Sequence, residues 1–262
     1  MTKIARYETT SGVFYGHLED NRLHRMDGTP FGRMTPTGDV DDLHTVRLLA
    51  PVQAPRVFGV GANYKAHISE MGMATPVRPM LFMKPSSAVT GSGDPVIYPR
   101  EGQTIHYEAE LAVVIGKTTR RIDVAEADRV VLGYTCANDI SERVIQKEEM
   151  DQGCLLIGKG FDTFCPLGPV IATGLDPSDL RLEARLNGQT RQSSSTSDLL
   201  FSVPELVSYL SQAVTLQPGD VIITGTPSGV GDIAPGDRME IELEGVGTLV
   251  NQVVAEGEQT GA

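Results

Sequence analysis

The chain has 262 residues, with 22 Lys and Arg against 34 Asp and Glu and a formal net charge of -12. That length permits one large domain or a domain with a small appendage, and an acidic excess spread along the chain repels nucleic acid and anionic lipid. No stretch approaches the roughly 18 apolar residues that span a bilayer, and residues 1–6 lack the apolar core of a secretory signal. A cytoplasmic protein with neither nucleic-acid nor membrane partners is expected. Cys136, Cys154 and Cys165 form neither an even disulfide set nor a paired CxxC metal pattern, and read as reduced structural residues.

From residue 3 to about 47 the sequence predicts short strands broken by turns: alternation over 13–18, a turn at 19–21, and Gly and Pro punctuation over 28–36. These residues form a small β-rich N-terminal unit, 1–55, with Pro51 and Pro55 bracketing its end. The remainder, 56–262, opens with a short buried strand at 57–60 and a helix over 64–71 that Gly72 ends. Strands follow at 80–83, at 96–98 and most strongly at 107–115, where Gly116 closes the apolar run. A helix over 124–130 precedes a strand at 131–137. A second helix over 203–213 opens on Ser202 with Glu205 three residues on, a capping box. Strands at 221–224 and 239–244 complete a β-dominated α+β fold.

In His106-Tyr107-Glu108-Ala109-Glu110-Leu111, the strand period of two puts Glu108 and Glu110 on one face. Two carboxylates so placed repel unless a cation lies between them. Asp139 stands where another strand gives way to Asn138-Asp139-Ile140-Ser141, so oxygen ligands from two strand ends would make a hard-cation site suited to Mg²⁺. On pattern alone, a solvated strand face is the commoner account of Glu-Ala-Glu. His67 and Glu70 are three apart and share a helix face. A carboxylate on one imidazole nitrogen fixes the tautomer and raises the basicity of the other, as a water-activating base requires; taken singly, such a pair is more often a surface contact. The Gly-rich stretch 225–231 has no Gly-Lys-Ser/Thr element and reads as a turn rather than a phosphate loop.

An ordered set of strings joins these pieces: Gly59-Val60-Gly61-Ala62-Asn63-Tyr64 with His67 and Glu70, Phe82-Met83-Lys84-Pro85, Tyr107-Glu108-Ala109-Glu110-Leu111, Asn138-Asp139-Ile140-Ser141, Gly158-Lys159-Gly160-Phe161-Asp162, and Thr224-Gly225-Thr226-Pro227. In these the chain resembles the fumarylacetoacetate hydrolase family, in the branch that includes acylpyruvate hydrolases and oxaloacetate decarboxylases. The resemblance implies a mixed β-sandwich roll preceded by a small N-terminal domain, assembled as a homodimer. Glu108, Glu110 and Asp139 match the family's metal ligands, for Mg²⁺ with Mn²⁺ or Ca²⁺ as alternatives. His67 and Glu70 match a water-activating pair on a lid helix, Lys159 a lysine facing the substrate, and Thr226 a residue near the substrate carboxylate. Arg143 and Gln146 complete the substrate-binding candidates.

The implied reaction is C–C hydrolysis of an acylpyruvate-type 2,4-dioxo acid through a metal-bound pyruvate enolate. Decarboxylation of oxaloacetate, and isomerisation or hydration of an unsaturated 2-oxo acid, are alternatives on the same site. A non-catalytic relative would be expected to have lost a carboxylate or His67, and none is lost. The chain departs from the pattern beside Lys159: it has no Trp, reads Gly153-Cys154-Leu155-Leu156-Ile157 where many relatives carry one, and has Gly160 where Ser is common. The substrate pocket is expected to differ there.

Overall fold

The continuous apolar run at the heart of the sequence needs burial on both faces, and the fold provides it. In the computed structural model, which describes residues 1–53, 55–70 and 72–257, every residue of the strand Ala109–Ile115 is buried. Leu111, Val113 and Ile115 enter one hydrophobic core, and Ala112 and Val114 enter a second. Ala54 at the predicted boundary, Met71 at the end of the predicted helix, and residues 258–262 lie outside the described residues.

This strand sits inside a 12-stranded sheet. From edge to edge it runs Met34–Asp42, Arg22–Gly28, Gly12–Glu19, Thr2–Thr9, Cys165–Thr173, Val131–Asn138, Ala109–Ile115, Val221–Ile223, Val57–Gly61 and Met80–Lys84. Arg47–Leu49 and Val89–Thr90 pair alongside Thr2–Thr9 and Cys165–Thr173. The N-terminal strands therefore extend the main sheet, Lys3 pairing with Ala172. A five-stranded sheet, Gln189–Ser195, Arg181–Leu186, Arg238–Leu243, Gly247–Ala255 and Val96–Tyr98, packs against the centre of the larger one. The result is the expected strand-dominated sandwich.

Two predicted elements change character. The expected strand 107–115 breaks at Glu108: Ile105–Tyr107 belongs to a three-stranded sheet with Ser141–Glu142 and Gly231–Asp232. The break has a local cause, since the Glu108 N–H donates to Asn138 Oδ1 and the Ala109 N–H to Gln192 Oε1, each at 2.9 Å. Side chains thus replace ladder partners at two successive residues. The helix expected over 124–130 is a 3₁₀ helix, Val124–Arg129, with Asp123 and Glu126 forming its capping box.

Four α-helices are described: α1 (Lys65–Glu70), α2 (Arg143–Asp151), α3 (Ile157–Gly160) and α4 (Val203–Ala213). α4 has the predicted bounds and capping box. α1 ends in a Schellman motif, with Met73 N–H to Ile68 O at 3.0 Å and Gly72 N–H to Ser69 O at 3.1 Å. Gly72 takes the left-handed φ of 62° that this motif needs. Sequence periodicity did not reveal α2, because the helix is mostly polar and none of its residues is buried. Met34–Asp42, whose first residues fall in the stretch 28–36 read as Gly and Pro punctuation, is an exposed edge strand, where Pro36 is tolerated.

Candidate active site

Strand register brings the chemistry together. Ala109 pairs with Asn138, Glu110 with Ala137, and Ile223 with Gly59, so the segments carrying Glu108, Asp139, Thr226 and Asn63 leave the sheet at the same end. A cavity of about 850 Å³ opens there, with Glu108, Glu110, Asp139 and Lys159 at its floor and His67 and Thr226 on its walls. Glu108, Glu110 and Asp139 are buried, and each offers an oxygen within 4.8 Å of the others.

Three buried or part-buried cations answer these carboxylates unevenly. Lys159 Nζ lies 2.7 Å from Glu108 Oε2 and 2.5 Å from Asp139 Oδ2. Lys84 Nζ bonds Asp139 Oδ1 and also donates to Ile140 O at 3.1 Å. Arg143 Nη2 lies 2.6 Å from Glu108 Oε1. Among the described residues no ion pair reaches Glu110, whose Oε2 accepts the Gly225 N–H at 2.6 Å.

The electrostatic consequence follows. Burial alone would raise the Glu108 carboxyl, but Lys159 and Arg143 outweigh it and hold the group well below the ordinary carboxylate range. Burial pushes Glu110 well above that range, and its neighbours Asp139 and Glu108 push the same way. Lys159 is opposed by burial yet held above the usual lysine value by Asp139 and Glu108. Three convergent carboxylates, one of them lacking a cation, form an all-oxygen donor set that fits a hard divalent ion such as Mg²⁺ or Mn²⁺.

Around this floor the other predicted residues are placed as follows. His67 Nδ1 is 3.0 Å from Glu70 Oε2, and Glu70 Oε1 accepts the Gly229 N–H at 3.1 Å. Thr226 Oγ1 accepts from Gln192 Nε2 at 2.7 Å, which leaves the threonine hydroxyl proton free to donate into the cavity. The Gly225-Thr226 turn requires glycine, because φ is 99° and a Cβ would sit 2.8 Å from Asn63 Cβ. Asn63 ties the same turn down through Thr224 O at 2.8 Å. Arg143 donates from Nη1 to Gln146 Oε1 at 2.8 Å and from Nε to His106 Nδ1 at 3.0 Å, so these candidates are linked to one another. Burial, reinforced by the Arg143 charge, lowers the His106 pKa.

Sequence reasoning passed over several residues that build the site. Lys84 was quoted within a motif and given no role, although a lysine closing an apolar strand segment is itself a signal for a buried ion pair. Gln192 bridges Ala109, Thr226 and Pro227 from a polar strand that carries no local cue. Glu149, on α2, accepts the N–H groups of Leu156, Ile157 and Gly158 at 3.0, 2.7 and 2.9 Å, and so positions the segment leading to Lys159. Against the pull of burial, those three donors hold its carboxyl below the ordinary range. Cys136 and Cys165 are buried free thiols raised to about 12 by burial, as inert structural residues should be.

Comparison with known proteins bears on this arrangement. Residues 56–254 match the fumarylacetoacetate (FAA) hydrolase C-terminal family, and residues 2–51 match the Rv2993c-like, N-terminal family. The structure of 5-carboxymethyl-2-hydroxymuconate delta-isomerase from Mycobacterium smegmatis is 43% identical, with a TM-score of 0.90 over 97% of this chain and 100% of that one. Fumarylpyruvate hydrolase from Pseudomonas aeruginosa, solved with Mn²⁺ and pyruvate, is 38% identical, with a TM-score of 0.74 over 79% of this chain and 91% of that one. Mitochondrial oxaloacetate tautomerase FAHD2A from Bos taurus is 43% identical over 220 residues, 80% of this chain and 70% of its own. With its catalytic-type domain matched nearly end to end and full-length similarity in both sequence and fold, this chain belongs to the fumarylacetoacetate hydrolase family.

Proposed function

We propose that the chain is a cation-dependent hydrolase that cleaves the C3–C4 bond of an acylpyruvate. The observation that carries this reading is the buried His67, lining the same cavity as the three carboxylates and fixed through Nδ1 to Glu70. Glu70 orients the ring and favours the imidazolium that forms when Nε2 takes a proton from water; Gly229 in turn holds Glu70. The hydroxide so generated adds to C4, the C3–C4 bond breaks, and its electron pair passes to C3 to give the enolate of pyruvate. His67 is then the acid that returns a proton to C3.

Glu108, Glu110 and Asp139 would hold the ion, Mg²⁺ in our reading with Mn²⁺ as the alternative. Bound there, it supplies the positive charge that stabilises an enolate next to a carboxylate. Thr226 donates to the substrate carboxylate, with Gln192 fixing its orientation, and Arg143 and Gln146 contact the substrate beyond it. Lys159, kept protonated by its two carboxylate neighbours, faces the developing negative charge. The working form is proposed to be a cytoplasmic homodimer.

The bovine and mycobacterial relatives, a tautomerase and an isomerase by name, favour a second reading: proton transfer at C3 of a 2-oxo acid without an attacking water. A screen of acylpyruvates, fumarylpyruvate and oxaloacetate against the wild-type protein and His67→Ala separates the two. Hydrolysis is expected with an acylpyruvate and should fall about 10²- to 10⁴-fold in the variant. Equal hydrolysis in the variant would sink the role of His67, and tautomerisation without any hydrolysis would establish the second reading.

A further inference from the structure

Resting on the 2-oxo acid reading of the floor, we propose that the distal half of the substrate is an extended, uncharged acyl chain, and that the outer chamber discriminates against a second carboxylate. A cavity of about 850 Å³ lies towards the upper end of ligand sites, which span roughly 300–1,000 Å³, whereas a three-carbon oxo acid head needs only the floor. Beyond the floor the walls are Met73, Met80, Leu81, Phe82, Met150 and Leu155.

Met80, Leu81 and Met150 are each at least 40% exposed, and they reach the chamber from an edge strand and from α2. Single exposed hydrophobics are ordinary, but their convergence on one concave surface marks a ligand groove. Leu155 stands in the segment where the chain departs from the family pattern. Unbranched methionines adapt their rotamers, so such walls accept chains of several lengths.

The cations of the lining are already committed. Lys159 is held by Glu108 and Asp139. Arg143 gives Nε to His106 and Nη1 to Gln146, independently of Glu108. Lys147 and Asp151 both line the rim, largely exposed, and pair at 2.6 Å, so together they bring no net charge to it. A distal carboxylate would meet thioether and hydrocarbon walls and, at the rim, a lysine already neutralised by Asp151, and would lose hydration without replacement. A methylene in the same place leaves water at a gain.

The test uses saturated 2-oxo acids, which lack the C4 carbonyl and so report binding without hydrolysis. Calorimetric titration of the Mg²⁺-loaded protein would compare 2-oxobutanoate, 2-oxopentanoate, 2-oxohexanoate and 2-oxooctanoate with the ω-carboxylate acids 2-oxoglutarate, 2-oxoadipate and 2-oxosuberate. Kd is expected to fall about fourfold per added methylene, equivalent to ~0.8 kcal/mol. Each diacid should bind at least tenfold more weakly than the monoacid of equal length. Met150→Lys, which places a cation on the chamber wall, should reverse that order. Tighter diacids, a Kd insensitive to chain length, or an unchanged order in Met150→Lys would each overturn the proposal alone. Failure of every 2-oxo acid to bind, short or long, would overturn the reading of the floor and the proposal with it.

Discussion

At the floor of the cavity, charged side chains from separate segments fix one another, whereas at its mouth apolar side chains from a surface helix and an edge strand stand partly in solvent. Asp139 is gripped by Lys84 and Lys159, and Glu108 by Lys159 and Arg143. Met80, Leu81 and Met150 carry no charge to be so held and stand partly exposed on the sheet edge and on α2. The floor is therefore set by sheet register, which many substitutions leave intact. The mouth is free of those constraints, and Gly153, Cys154 and Leu155 line it.

The sharpest way to break this contrast is at Glu110. Glu110→Ala should abolish retention of the ion and lower turnover by roughly 10³-fold, the several kcal/mol that a charge at the reacting oxygens supplies. Metal analysis beside steady-state kinetics checks it, and full activity in chelator would remove the floor from the chemistry. Next in size is Lys84→Met, which leaves Asp139 buried with one cation fewer. Losing one partner of a buried pair costs about 3–5 kcal/mol, read as a lowered urea midpoint at constant m. Met150→Ala, at the exposed mouth, should shift the midpoint far less; equal shifts would erase the distinction.

Glu149 joins the two regions, since it stands on α2 beside Met150 and its carboxylate holds the turn that delivers Lys159 to the floor. Glu149→Ala should lower kcat about tenfold and stability by about 1.5–3 kcal/mol, the range for hydrogen bonds to a charged group. Glu149→Gln, which keeps an acceptor, should recover part of kcat. If kcat is untouched while stability falls, Glu149 supports α3 without positioning Lys159.

The same division explains what could be read from the chain beforehand. Apolar runs with period two and the capping box at Ser202 report local physics, so the central strands and α4 were legible. Glu108, Glu110, His67 and Glu70 were legible as pairs because their spacing is local as well. That Asp139 joins them depends on register between strands, which a pattern within one strand does not carry, and only the family resemblance supplied it. Gln192 and Glu149 act through contacts 83 and 7 to 9 residues away in sequence, made by ordinary polar side chains with no local mark. α2 escaped notice because it buries nothing, although its run Arg143–Asp151 is rich in good helix formers.

The smallest expected effect concerns protons. Glu110 lies among buried carboxylates with its pKa raised by burial and by Asp139 and Glu108, so above the ordinary carboxylate range the ion-free floor still binds a proton that a cation must displace. Cation binding should release up to one proton, and affinity should rise with pH until the raised Glu110 value is passed. Titration calorimetry in buffers of different ionisation enthalpy measures the release directly. The stability signs follow from the same shifts. Glu110, raised on folding, contributes stability that is full below its unfolded pKa and is lost as pH rises through its folded value. Glu108, lowered on folding, contributes stability present above its unfolded pKa and lost as pH falls through its folded value. The two windows lie on opposite sides of the ordinary carboxylate range, so the ion-free protein should weaken on the alkaline side of that range and the added ion should flatten that slope. An alkaline slope that Mg²⁺ leaves unchanged, with no proton released, would mean that Glu110 does not compete with the ion for its proton.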